Sequence, residues 1–250
     1  MTPPTRPSSS SSSSGVPLFA FEHVGVAGAH APRLDDANGS IPSDGVTVIV
    51  GPSGAGKSTL LRLCNRLEVA DRGVVRFRDD DIVHLDPIHL RRRVGMVFQR
   101  PTPFPGTVSD NLRVAEPSLT HDAEVAALER VELDGSVLSR ESTELSGGEA
   151  QRMCLARTLV TDPEVVLMDE PTSSVDPAAR TALEVLGRSL AATGVPVVWV
   201  THDLAQMHRI ADHVLVVIAG RIAHASEGDQ LDRDDVPAPV RDFLAGIRLA

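Results

Sequence analysis

The residues best suited to chemistry begin with the glycine-rich segment Gly51-Pro-Ser-Gly-Ala-Gly-Lys57-Ser58. Its glycines allow successive backbone N–H groups to point inward around phosphate oxygens. An apolar run at 46–50 comes before the segment, and apolar residues recur at helical spacing over 59–67. Strand, glycine loop and helix are the order that a phosphate-binding P-loop requires. We therefore expect Lys57 to neutralise the β and γ phosphates and Ser58 to help hold Mg²⁺.

Two adjacent carboxylates, Asp169 and Glu170, follow a second apolar run at 165–168. A single carboxylate at a strand end is readily explained as a solvated side chain. Two of them at the end of a buried strand are costly without a cation nearby. The pair therefore indicates a cation at this strand end.

Three further segments carry a resemblance to a known family. Leu145-Ser-Gly-Gly-Glu-Ala-Gln-Arg152 resembles the signature motif of ATP-binding-cassette (ABC) ATPases and lies between the P-loop and the acidic strand end, as in that family. Gln99, in Gly95-Met-Val-Phe-Gln-Arg-Pro, resembles the Q-loop glutamine. His202, in Val198-Trp-Val-Thr-His-Asp, resembles the switch histidine. Ser146 also suits a second role, as the N-cap of an ordinary helix.

The resemblance implies ATP and Mg²⁺ as cofactors and gives a role to each of these residues. Asp169 supports Mg²⁺ through its shell, and Glu170 polarises the water that attacks the γ-phosphate. Gln99 senses Mg²⁺ and water, and His202 contacts the γ-phosphate. The implied metal site consists of Ser58, Gln99 and Asp169. The implied nucleotide-binding residues belong to the P-loop, the signature motif and the D-loop: Gly51, Pro52, Ser53, Gly54, Ala55, Gly56, Lys57, Ser58, Thr59, Ser146, Gly147, Gly148 and Asp176.

Family members work as head-to-tail dimers, so the resemblance also implies partners. Ser146 and Gly148 of one copy would contact the γ-phosphate bound by Lys57 of a second copy. No apolar run reaches the roughly 18 residues that a spanning helix needs. We therefore expect a homodimer at the cytoplasmic face of the membrane that drives a separate permease subunit through the helical subdomain and the loop at 99–106.

Apolar runs separated by helical stretches indicate an α/β fold with a sheet covered on both faces. The resemblance extends over about 18–222 and implies the ABC type of P-loop NTPase fold, with a core sheet flanked by helices, a small antiparallel sheet and an inserted helical subdomain. We predict a tail at 1–17 and an ABC domain at 18–250. Within that domain we predict a core at 18–99 and 161–227, a helical subdomain at 100–160, and a C-terminal helix at 236–248.

Composition limits the other possibilities. The 250 residues suit one domain, and a net charge of −10 opposes binding to nucleic acid. The serine run at 8–14 stands where a signal peptide would need an apolar segment, so we expect a disordered tail. Cys64 and Cys154 lie within apolar helical patterns and suit core positions in a reducing compartment.

The chain departs from the family pattern in three respects. It has no tyrosine, although the family usually stacks an aromatic ring on adenine from the loop after the first strand. His30, Phe19 and Phe21 are candidates for that contact, and we expect weaker selection of the base, with comparable affinities for ATP and GTP. Glu149 replaces the commoner glutamine of the signature. About 45 residues separate Gln99 from the signature, which predicts a short helical subdomain.

The sequence leaves the cargo open. Pro101-Thr-Pro-Phe-Pro105 is similar to phosphate-importer ATPases, which suggests phosphate or another inorganic ion, whereas the segment around His202 and the compact middle also resemble ATPases of metal homeostasis, such as iron exporters. A non-transport ABC ATPase would normally carry a coiled coil, zinc-type cysteines or two cassettes. A regulator without turnover is disfavoured because Lys57, Glu170 and His202 all match.

Overall fold

The structure, a computed structural model, describes residues 15–231 and 236–246. The serine run at 8–14 and the last residues of the predicted C-terminal helix lie outside this part of the chain. Within it, no helix combines the length and the apolar character needed to cross a membrane.

Four antiparallel strands form a sheet near the N-terminus, as predicted. They are β1 Phe19–Val26, β2 Leu34–Ile41, β4 Arg72–Phe77 and β5 Asp80–Asp81. Their order across the sheet is β2-β1-β4-β5. Phe19 and Phe21 alternate with more exposed residues along β1, so both rings enter the core, where Phe19 contacts Phe77 at 5.1 Å between ring centroids.

A second, mixed sheet of six strands forms the centre of the molecule. Its strands are β3 Val46–Val50, β6 Val94–Val97, β7 Val165–Asp169, β8 Val197–Val200, β9 His213–Ile218 and β10 Arg221–Glu227. They lie in the order β10-β9-β3-β8-β7-β6, parallel except that β10 is antiparallel to β9. Every residue of β3, β7 and β8 is buried, as a parallel sheet covered on both faces requires.

Eight α-helices surround the sheets in the described residues. They are α1 Lys57–Leu63, α2 Pro87–Arg93, α3 Val108–Ala115, α4 His121–Glu129, α5 Gly147–Leu159, α6 Pro177–Ala192, α7 Leu204–Ile210 and α8 Ala238–Leu244. α2 and α6 each begin at an aspartate N-cap followed by proline, Asp86 and Asp176. α3 and α5 begin at capping boxes.

The two faces of the central sheet bury separate apolar clusters. Along β8, Val197 and Trp199 enter one cluster with α5 and α6, whereas Val198 and Val200 enter the other with α1 and the antiparallel sheet. This alternation confirms the α/β class predicted from the sequence, since adjacent strand residues point to opposite faces.

Several element boundaries differ from the sequence expectation. α1 ends at Leu63 rather than continuing to 67, and Arg66 beyond it has a left-handed φ of 55°. The segment 27–45, rich in Gly, Pro, Asp and Asn, predicts loops around a short edge strand, whereas the structure has the eight-residue strand β2 there. The strand β10 was not predicted from the sequence. Its pairing with β9 depends on the turn at Gly220, where φ is 78°. α8 covers less of the chain than the predicted 236–248, because Gly246 takes a φ of 74°.

The segment between β6 and α5 contains two short helices, α3 and α4, and two 3₁₀ turns, Gly135–Ser139 and Ser142–Glu144. This is the stretch in which we predicted a short helical subdomain. The division of the chain into a core and a subdomain stays a prediction.

Candidate nucleotide-binding site

The P-loop connects β3 to α1 and depends on glycine at two close approaches. A Cβ on Gly51, where φ is 154°, would lie 2.0 Å from the carbonyl oxygen of Val217. A Cβ on Gly56, where φ is 103°, would lie 2.4 Å from the carbonyl oxygen of Arg33. Neither distance permits a side chain, so the loop conformation requires these glycines.

Lys57 is folded back into its own loop. Its side chain is buried, and Nζ donates hydrogen bonds to the carbonyl oxygens of Gly51 at 2.8 Å and Pro52 at 2.9 Å. Burial lowers the pKa of the amine, while the charges of Glu170 and Asp169 act in the opposite direction. The ammonium is held by neutral carbonyls that a phosphate oxygen can replace.

Ser58 and Asp169 meet across 111 residues of sequence. The Ser58 hydroxyl donates to Asp169 Oδ1 at 2.7 Å, and Arg62 Nη2 lies 3.1 Å from Asp169 Oδ2. Asp169 is almost fully buried, and each of its oxygens has a partner within the protein, a hydroxyl at Oδ1 and a guanidinium at Oδ2. A hydroxyl beside one carboxylate fits Mg²⁺, which takes oxygen ligands and binds through one or two carboxylates together with substrate phosphates.

Glu170 stands at the end of β7 in a strained conformation. Its φ of 46° lies in the left-handed region, which is unusual for a residue other than glycine. Its backbone N–H donates to the carbonyl oxygen of Val200 at 3.1 Å, and its Oε2 lies 3.1 Å from Nδ1 of His202. The structure therefore brings together the carboxylate and the imidazole selected from the sequence.

Two cavities adjoin Glu170. The P-loop cavity, of about 300 Å³, is lined by Arg33, Ser53, Gly54, Gly56, Lys57, Ser58, Thr59 and Glu170. The other, of about 280 Å³, is lined by Glu170, Thr172, Ser173, Arg180, Thr201, His202, Asp203 and Gln206. Glu170 lines both, so its carboxylate can act at either side of the site.

Gln206, which the sequence analysis missed, supports the second cavity. Its buried side-chain nitrogen donates to Thr172 Oγ1 at 3.0 Å and to Glu184 Oε1 at 2.9 Å, and its oxygen accepts from Trp199 Nε1 at 3.3 Å. Burial alone would raise the pKa of Glu184, yet hydrogen bonds from Arg209 and Gln206 lower it overall. The amide thus ties the loop after Glu170 to the strand before His202.

The signature residues lie apart from the P-loop cavity of this single chain. Ser146 and Gly147 are exposed, and no residue of 146–148 lines that cavity. Ser146 is the N-cap of α5: its hydroxyl accepts from the N–H of Glu149 at 3.3 Å, and Glu149 returns a bond to the Ser146 N–H at 2.8 Å. The capping interpretation of Ser146 is confirmed.

Asp176 and Gln99 also lie outside both cavities. Asp176 caps α6, accepting from the N–H groups of Ala178 and Ala179 at 2.9 and 3.0 Å, and these bonds, chiefly that from Ala179, lower its pKa. Gln99 is exposed just after β6. The preceding carbonyl, of Phe98, accepts a bond from Gln151 on α5 at 2.9 Å, which links the loop to the helix that carries the signature.

The candidates for the base contact need correction. Phe19 and Phe21 are buried in the core, so neither ring can reach a nucleotide. His30 is exposed and lines neither cavity. The residue that reaches the P-loop cavity from the loop after β1 is Arg33, one position beyond the segment considered in the sequence. The signal that could have identified Arg33 is its position, because it places a planar guanidinium directly before β2.

A mixed sheet with a P-loop after its central strand, an acidic strand end and an added antiparallel sheet defines an ABC-type P-loop NTPase. Residues 34–173 match the family model for the ABC transporter. The chain belongs to the ABC transporter family and is one of its ATP-binding, ATP-hydrolysing subunits. The predictions of family, fold class and enzyme activity are therefore confirmed.

Two relatives in sequence illustrate the range of the family. Protein STAR1 of Oryza sativa subsp. japonica is 43% identical over 210 residues, which cover 82% of this chain and 60% of STAR1. The phosphate import ATP-binding protein PstB 1 of Vibrio parahaemolyticus is 35% identical over 245 residues, covering 91% of this chain and 90% of that protein.

A solved structure is similar over most of the chain. It is a dimeric ATP-binding cassette in a post-hydrolysis state, bound to ADP and Pi, with a TM-score of 0.74 and 25% sequence identity. The match covers 84% of this chain and 98% of the other. The similarity therefore extends over most of this chain and nearly all of the other.

Proposed function

We propose that this ATPase powers transport through a separate integral membrane permease, acting as a head-to-tail homodimer at the cytoplasmic face of the membrane. The observation that carries the proposal is the arrangement around the P-loop cavity. Lys57 and Ser58 line it, Asp169 is bonded to Ser58, and Glu170 lies at its edge beside His202. This arrangement supplies a phosphate ligand, a metal-binding pair and a base for water.

The roles of the individual residues follow from their present partners. Lys57 exchanges the carbonyl oxygens of its own loop for phosphate oxygens, and Ser58 with Asp169 would hold Mg²⁺. The metal, when bound, neutralises charge that develops on the phosphates. Glu170 orients the attacking water, and His202 fixes the Glu170 carboxylate and contacts the γ-phosphate. Gln99, exposed after β6 in this chain, would complete the metal site together with Ser58 and Asp169.

The dimer is proposed because Ser146 and Gly147 of the signature are exposed and no residue of 146–148 lines the P-loop cavity of its own chain. In a two-fold arrangement the same surface of each copy faces the other, so Ser146 and Gly148 of one copy complete the site formed by Lys57 of the second. The γ-phosphate then bridges two chains, and its loss on hydrolysis favours their separation.

The permease contact is proposed at the loop after β6. Phe98 and Phe104 are 41% and 46% exposed, and the Arg157 guanidinium lies 4.5 Å from the Phe104 ring centroid. Exposed aromatic rings beside a cation suit a protein interface. The Phe98–Gln151 bond connects this loop to α5, so displacement of the signature helix also moves the contact.

For the cargo we favour phosphate or another inorganic ion, since relatives over nine-tenths of the chain are named as phosphate import proteins. An iron exporter is the alternative from the sequence. Cells that lack this chain should lose phosphate uptake and regain it with the wild type, whereas Glu170→Gln should not restore it. Unchanged phosphate uptake together with altered iron content would favour the alternative.

The dimer is tested by the molecular mass of Glu170→Gln in solution, with Mg-ATP and with ADP. Because its hydrolysis is blocked, this variant should form a dimer with Mg-ATP and stay monomeric with ADP. The double variant Lys57→Ala/Glu170→Gln is the control and should stay monomeric. A monomer that still binds ATP would mean that closure requires the membrane subunit. Failure of the wild type to bind ATP would contradict the whole proposal.

A further inference from the structure

Arg33 is the one residue of the loop between β1 and β2 that lines the P-loop cavity, and its side chain is 46% exposed. The aromatic residues cannot serve there. Of the chain's seven phenylalanines and tryptophans, which all fall in the described part, none lines the cavity. Phe19, Phe21, Phe77 and Trp199 are in the core. The nucleotide cavity therefore has a planar cation on this wall and no ring.

The direction of the Arg33 side chain sets which part of a nucleotide it can meet. Its carbonyl oxygen lies against Gly56, at the start of α1. Its guanidinium pairs with Glu68, whose N–H is bonded to the carbonyl oxygen of Arg62 at the other end of α1. The side chain thus extends along α1 and away from the phosphate-binding loop, so the part of a bound nucleotide that it would meet is the part beyond the phosphates.

The hydrogen bonds of the guanidinium leave its faces available. Nε donates to the carbonyl oxygen of Ala27 at 3.0 Å, and Nη1 is bound to Glu68. A guanidinium binds phosphate with two parallel bonds through Nε and Nη2 or through Nη1 and Nη2. Each pair includes one nitrogen that is already bonded here, so bidentate phosphate binding is compromised. A guanidinium held by two partners in its plane is instead prepared for stacking on a flat π system.

We propose that Arg33 is the base-contacting residue of this ATPase, with its guanidinium plane stacked on the purine. The inference rests on the proposed function, because it assigns a wall of the same nucleotide site. Glu68 and the Ala27 carbonyl are positioning partners that fix the plane. A stacking surface does not read the edge of the base, so purine triphosphates differ little in affinity.

The test compares two probes, ATP and inorganic tripolyphosphate, by calorimetric titration of the full chain without Mg²⁺. Arg33→Ala should bind ATP about fivefold to tenfold more weakly than the wild type, as expected for loss of a cation–π contact. Its affinity for tripolyphosphate, which has no base, should not change. Arg76→Ala is the matched control: Arg76 also pairs with a glutamate, Glu22, at 2.9 Å, but it lies on β4 and does not line the cavity.

Two further variants separate stacking from charge. Arg33→Lys keeps the charge without the plane and should bind ATP as weakly as Arg33→Ala, whereas Arg33→Tyr restores a flat surface and should recover most of the affinity. Recovery by lysine, or equal weakening for both probes, would mean a charge acting on phosphates and would overturn the inference. Wild-type affinity in Arg33→Ala would overturn it as well. If the wild type bound neither probe, the proposed function itself would fail, and this inference with it.

Discussion

At the scale of the residue, groups of the protein itself form the hydrogen bonds that phosphate and metal would form in the proposed site. Lys57 donates to the carbonyl oxygens of Gly51 and Pro52, and Arg62 and Ser58 occupy the two oxygens of Asp169. Such bonds satisfy buried charges that would otherwise be costly. They also keep the side chains close to the positions from which phosphate and metal can be bound.

The Ser58 hydroxyl provides a prediction at this scale. Ser58→Ala removes both the bond to Asp169 and one oxygen from the proposed metal site. We expect about tenfold more Mg²⁺ to be needed for half-maximal ATP hydrolysis, in line with the loss of a supporting ligand. The measurement is the rate of phosphate release as a function of Mg²⁺ at saturating ATP.

Ser136→Ala is the control for this change, because Ser136 is exposed on the 3₁₀ turn Gly135–Ser139, away from both cavities. An unchanged Mg²⁺ requirement in Ser58→Ala would remove Ser58 from the metal site. A lower maximal rate at saturating ATP with an unchanged Mg²⁺ requirement would instead assign it a role in the hydrolysis step.

At the scale of the element, charged side chains join the antiparallel sheet to the central one. Glu164, just before β7, accepts from Arg93 at the end of α2 and from Arg78 after β4, at 3.1 Å for the latter. Both guanidinium groups also lie over the Phe77 ring, at 4.7 and 5.8 Å from its centroid. One carboxylate therefore links three elements whose apolar faces meet at Phe77.

This link predicts a pH-dependent loss of stability in Glu164→Gln. The hydrogen bond from Arg93 lowers the pKa of Glu164, with a smaller contribution from Arg78 and with burial opposing both. A folded-state pKa below the unfolded value of about 4.3 stabilises the protein above that pH. The stabilisation is lost as pH falls through the folded-state value. We expect about 0.5–1 kcal/mol at pH 7, since the group is partly exposed.

Urea denaturation from pH 7 downward measures this difference. The wild type and Glu164→Gln should differ most at pH 7 and converge as the pH falls below about 4. Glu129→Gln removes an exposed charge from α4 and controls for net charge. A difference between wild type and Glu164→Gln that is independent of pH would mean that packing, and not the ion pair, is responsible.

At the scale of the whole molecule, one chain presents a P-loop cavity and a signature helix that do not meet. The proposed head-to-tail dimer combines them in two composite sites. Two variants, each disabled in a different half of the site, should then complement each other. In a mixed pair, one site receives both defects and the other receives none.

Lys57→Ala and Ser146→Asp are the variants for this test. Aspartate is a good N-cap and should preserve α5, while its charge repels the γ-phosphate. Each variant alone should be inactive. A one-to-one mixture should recover about a quarter of wild-type ATP hydrolysis, because half of the pairs are mixed and each of these has one intact site. A mixture as inactive as its components would contradict the composite site.

The sequence alone determined the parts of this protein that depend on local order. The P-loop was predictable because a strand, a glycine loop and a helix follow one another within about twenty residues, and each has its own pattern. Asp169 and Glu170 were found because a buried apolar run ends at them, whereas His202 was found by its resemblance to the switch histidine of ABC ATPases. Neither α2 nor α6 was predicted. Their starts could have been predicted from the sequence, since an aspartate before a proline marks a helix start.

Only the tertiary structure decided which distant segments meet. The Ser58–Asp169 bond, the partners of Gln206 and the place of Arg33 beside Gly56 all depend on the strand order of the central sheet, which no local pattern records. The structure likewise placed Phe19 and Phe21 in the core and not in the site. The sequence could not decide this, because a ring that packs between two sheets has the same sequence pattern as one that faces a ligand. Propensity and spacing act between neighbours in the chain, whereas a binding site is formed by packing between segments far apart in it.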